Sequence, residues 1–192
     1  AIDGRYAYVA YGVATSVPSY ILATSVGRQT GIFSSLQEGP ETGGLLVVDI
    51  QDPRNPKPLG TVTTPGWGIG IAVVGGYVLV PVSTSGVAVV DVSDPMSPEL
   101  TGTVEMPTPN REPGRAVVIA PAGDHAVLGY SGDDPPYDHG LAIVTLSDLG
   151  RPQIVSSVTL GCGREPTAIR AVGDYIWVEH GNGLAIVDIR NP

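Results

Sequence analysis

The chain has 192 residues, 42% of them hydrophobic, which supplies enough apolar surface for a packed core and argues against general disorder. Its formal net charge of −9, with only 10 Lys and Arg, excludes the clustered cations of a nucleic-acid surface, and no apolar run approaches the roughly 18 residues that insert across a bilayer. The 26 Gly and 18 Pro follow no collagen-like period and read as punctuation between many short strands.

In chain order, Ala1-Ile2-Asp3-Gly4 and Tyr6 to Ala10 open the chain as two strand signals joined by a glycine turn. Residues 12–43 then form a Ser-, Thr- and Gly-rich insertion whose apolar members include Tyr20, Ile21, Leu22, Ile32, Phe33 and Leu36. A short helix around Ile32 to Gln37 would be marginal alone. Next comes Gly44-Leu45-Leu46-Val47-Val48-Asp49-Ile50, an apolar β-branched run that leads into Asp52-Pro53-Arg54-Asn55-Pro56 and a further strand, Leu59 to Thr63.

The same order then repeats. Ile69 to Val74, Gly75-Gly76 and Tyr77 to Val80 precede Gly86-Val87-Ala88-Val89-Val90-Asp91-Val92, the turn Asp94-Pro95-Met96-Ser97-Pro98, and Leu100 to Glu105. Ala116 to Ala120 and His125 to Tyr130 precede Gly140-Leu141-Ala142-Ile143-Val144-Thr145-Leu146, with Thr145 as the departure at the acidic position, then Gly150-Arg151-Pro152 and Ile154 to Thr159. Ala168 to Val172 and Tyr175 to Val178 precede Gly183-Leu184-Ala185-Ile186-Val187-Asp188-Ile189 and Asn191-Pro192. The run is short, β-branched, bounded by turn formers and apolar on both faces, so it predicts a strand covered from both sides. Its terminal Asp is expected to accept N–H groups of the following turn, and the proline to stop further pairing.

Four strands per unit, four units in register, predict an all-β β-propeller with blades of antiparallel strands. The units run approximately 1–67, 68–114, 115–166 and 167–192 of a single domain, with the insertion 12–43 inside the first. The apolar run ending in Asp and followed by a D-P-x-x-P-like turn resembles the LVIVD repeat family. That resemblance implies a propeller of the kind found in bacterial and archaeal surface-associated proteins, hence an extracellular or cell-envelope location, and it implies no particular chemistry.

The first unit opens inside its innermost strand and the last stops where its outermost would begin, so one terminus does not complete the blade at the other. An open stack of four blades exposes apolar faces and strand edges. Two remedies are expected: these blades are an arc of a six- to eight-bladed propeller, or copies associate as a homo-oligomer that closes a ring.

Propeller geometry puts the loops between second and third strands on the same face as the connectors between blades, and long loops on a rigid scaffold are where binding functions tend to sit. On that face Tyr20, Phe33 and Tyr137 are candidate partner contacts. Asp133, Asp134 and Asp138, followed by His139, form an oxygen-rich loop that suits Ca²⁺ more than a transition metal. The spacing lacks the regularity of a dedicated calcium loop, so a solvated acidic turn is the first expectation and calcium the alternative. No other cofactor is expected. Near the axis, Trp67, Glu112, Arg115, Arg164 and Glu165 lie on connectors, where the recurring Arg and Glu either pair with one another to cap the channel or hold a polar ligand.

Catalysis has little support. His125 stands where other units start a strand with Tyr, and His180 beside Glu179 points to the opposite face of its strand. Cys162 is alone, so it forms no internal disulfide, and no His lies near it in sequence to activate it. Motifs for a nucleophile elbow, a zinc helix or a phosphate loop are missing. The leading expectation is a non-enzymatic scaffold for protein contacts in an exported or cell-surface prokaryotic protein. The rivals are an enzyme or small-ligand binder using the central channel, and a structural block of a larger assembly.

Overall fold

A computed structural model describes residues 1–14, 17–19, 42–82, 86–106, 115–123, 125–132, 139–145, 152–161, 165–181 and 183–190. They form strands and turns and no helix. Blade one is built from β1 (Ile2–Asp3), β2 (Tyr6–Ala14), β3 (Val17–Ser19), β4 (Thr42–Asp49) and β5 (Lys57–Thr64). Blade two holds β6 (Ala72–Val74), β7 (Tyr77–Val82), β8 (Gly86–Asp91) and β9 (Glu99–Val104). Blade three holds β10 (Arg115–Ala122), β11 (His125–Ser131), β12 (His139–Thr145) and β13 (Gln153–Gly161), and blade four β14 (Pro166–Val172), β15 (Tyr175–His180) and β16 (Gly183–Asp188). Every neighbouring pair is antiparallel and follows chain order, with β3 the one strand off that path, so each sheet is an up-and-down meander.

The third strand of each blade explains why the sheets stack. In β8, Val87 and Val89 pack toward blade three with Leu128 and Val144, while Ala88 and Val90 pack toward blade one with Leu45 and Val47. In β12, Ala142 and Val144 face blade two, and Leu141 and Ile143 face Ile176 and Val178 of blade four. Successive side chains on a strand point to opposite faces, so a run without polar alternation needs a neighbour on each side. Each fully buried Val or Leu in these layers contributes roughly 1.5–3 kcal/mol relative to leaving it in water.

The predicted Asp caps are present. The N–H groups of Gln51, Ser93 and Arg190 donate to Asp49, Asp91 and Asp188 Oδ1 at 2.9, 2.8 and 3.0 Å. A second Asp repeats the device in the D-P turns, where the Arg54 and Met96 N–H groups donate to Asp52 and Asp94 Oδ1 at 3.0 and 2.9 Å. The turn of blade two then docks on blade one: the Gly60 N–H donates to the Pro95 carbonyl at 3.1 Å. A Cβ at Gly60 would overlap the Pro98 ring and come within 2.8 Å of the Met96 backbone.

Three boundaries differ from the sequence expectation. The β2 strand runs on to Ala14 and β4 begins at Thr42, so the excursion in blade one starts later and ends earlier than 12–43. Residues 12 and 13 pair with β3 on one edge and β4 on the other, so β3 lies on the inner edge alongside β1. Finally, β6 is only Ala72–Val74, because the chain before it detours around Gly68 and Gly70, held by the Gly68 bridge to Val82 and by the Ile69 N–H on the Pro81 carbonyl at 2.9 Å.

The glycine that opens the apolar run of each third strand serves two purposes. Gly86 and Gly183 close short hairpins at φ +87° and +133°, a region costly for other residues. Gly44 and Gly140, which follow long excursions, instead leave room for the rings of Tyr11 and Tyr130, their cross-strand partners.

Two outcomes follow from the turns. Replacing Gly60 by Val should destabilise the protein by about 1–3 kcal/mol through overpacking against the blade-two turn, read as a lower urea midpoint. Hydrogen bonds from the Arg5 and Arg190 side chains, aided by backbone N–H groups, hold the Asp49 and Asp188 carboxyls at about 2 against an ordinary 3.8, and Ser93 lowers Asp91 in the same way. The unfolded chain therefore binds protons first as pH falls, so this stabilisation is complete above about 4 and is lost toward 2. Thermal midpoints measured across that window should drop, and Asp49→Asn with Asp188→Asn should flatten the drop.

Candidate functional site

Two regions qualify as surfaces: the end that carries the excursions and connectors, and the face of blade four turned away from blade three. At the first, the connector after β5 lays Trp67 against Gly12 of β2, with the ring about 3.0 Å from where a Gly12 Cβ would stand. Trp67 is half-buried, and its enclosed Nε1 finds no hydrogen-bond acceptor among the described residues. The ring thus wedges a connector onto the first blade.

Across blade three a row of backbone partners runs from Arg115 to Ser131, His139 and Gly161 at the same end. Ser131 and His139, the neck of the acidic loop, are both buried, and His139 Nδ1 has no hydrogen-bond partner among the described residues. Glu165 is half-buried directly before β14. Since β14 packs beside blade three, with Pro166 and Ile169 against Gly129 of β11, Glu165 and the backbone of Arg115 lie at the same end of neighbouring inner strands. Tyr20, Phe33, Glu112, Asp133, Asp134, Tyr137, Asp138, Cys162, Arg164 and the segment Ile32 to Gln37 lie outside the described residues, as does the side chain of Arg115. Among the described residues no group of three or more His, Cys, Asp or Glu could hold a metal ion.

The D-P-turn end carries a paired arrangement. The Arg5 guanidinium bridges the Asp49 carboxylate, with Nε at 3.1 Å, and lies over the Tyr6 ring at 5.7 Å. Arg190 does the same between Asp188 and Tyr175, at 5.9 Å from the ring. Arg5 and Asp49 tie the start of β2 to the end of β4, whereas Arg190 and Asp188 lie two residues apart at the end of β16 and reach the start of β15 only through the Tyr175 ring. With their guanidinium groups in solvent, such pairs contribute modestly to stability.

The second region was not assigned residue by residue from sequence. On blade four, Tyr175, Trp177, Leu184, Ile186 and Val172 share one face, and Trp177, Leu184 and Ile186 are 41%, 59% and 55% exposed. Their counterparts by strand register are Tyr8, Leu45 and Val47 in blade one, Leu79, Val87 and Val89 in blade two, and Val127, Leu141 and Ile143 in blade three. All nine are buried, none above 8% exposed. The signal available beforehand was the repeat itself, which marks these three positions as facing the next blade.

The repeat decides the family. The LVIVD repeat model matches residues 40–64, 65–106 and 163–192, together about half of the residues. The chain belongs to the LVIVD repeat family. Blade three lies outside these LVIVD matches, yet it forms the same four-stranded meander. No curated protein matches the chain. Among solved structures, the chain is similar to the AfRom2 CNH domain, at 15% identity and a TM-score of 0.50, over 93% of this chain and 56% of that one. At that identity the likeness speaks for the fold, and the chain spans little more than half of the domain it matches.

Trp67 yields a direct check on the first region. In Trp67→Phe the ring stays on Gly12 while the enclosed N–H, which has no acceptor among the described residues, is removed. Stability should hold or rise by about 1 kcal/mol, measured by urea denaturation.

Proposed function

We propose that this LVIVD-repeat chain is a β-propeller scaffold whose contacts are with other protein surfaces, within an exported or cell-surface prokaryotic protein. The blade-four face carries this reading: three apolar positions that are enclosed in every other blade are open there. Leaving them uncovered forgoes roughly 1.5–3 kcal/mol for each side chain, and apolar patches of this kind mark contact sites. The surface that fits is another blade, a twisted sheet presenting small and branched aliphatic residues in the pattern of Ala126, Leu128, Ala142 and Val144. Export and surface location rest on the resemblance of the repeats to surface-associated propellers. Of the channel-mouth candidates, Trp67 is occupied in packing against Gly12.

The test uses the repeat register. Pro192 matches Pro95, so a copy of residues 96–161 appended at Pro192 supplies an outer strand for blade four and a complete blade beyond it. In a Trp67→Phe background Trp177 is the single tryptophan. Its emission should shift to the blue and binding of an apolar dye should fall as the face is covered. Unchanged emission in a folded fusion would refute the docking surface.

A further inference from the structure

We draw no further inference here: the strongest candidate, the buried His139 imidazole at the neck of the acidic loop in blade three, whose Nδ1 has no hydrogen-bond partner among the described residues, carries nothing because Asp133, Asp134 and Asp138, the side chains that would complete a ligand set with it, lie outside the described residues.

Discussion

The structure depends on a strand that has no outside. In β8 and β12 every apolar side chain from the opening glycine to the last valine is buried, alternately against the blade before and the blade after. A sheet built around such a strand is not stable as a freestanding element, because one of its faces would always be apolar and wet. Stability is therefore a property of the interfaces between blades, and each interior blade is held twice. This is the nearest-neighbour arithmetic of repeat proteins, bent around an axis by sheet twist.

The turns convert that stacking into a fixed geometry. Aspartate at the end of the third strand caps the turn in blades one, two and four, a second aspartate folds the D-P turn in blades one and two, and the turn of blade two rests on the outer strand of blade one through Gly60 and Pro95. The spacing of those two blades is thus specified at the rim as well as in the core. The Arg5 and Arg190 pairs sit on the same carboxylates, so electrostatics at this end reinforces a cap that backbone hydrogen bonds already define.

Much of this was legible in the residues. Glycine, β-branched run, aspartate and proline identify the third strand, its burial on both faces and its cap, and four copies in order identify the propeller. What was not legible has physical causes. The strand period says nothing about where a connector must detour, so β6 is shorter than Ile69 to Val74; the detour is held by the Gly68 bridge to Val82 and the Ile69–Pro81 hydrogen bond, where a side chain at position 68 would meet Ala10 and Val80. Continuation of β2 past Gly12 depends on pairing with β3, a contact that no local propensity announces. The candidate surface was readable only in outline. Repeat register marks Trp177, Leu184 and Ile186 as facing the next blade, but they become distinct from their buried counterparts only in the structure, where no other described blade lies against them.

The opening glycine of the third strand has a wider consequence. Where the hairpin is short it supplies a backbone conformation, and where the excursion is long it supplies space beneath a tyrosine, yet the strand that follows is the same in both cases. Loop length and blade architecture are therefore separable variables in this repeat. A lineage can lengthen one hairpin, and with it acquire a new specificity, without renegotiating the layers between blades, because a single residue without a side chain accommodates both solutions.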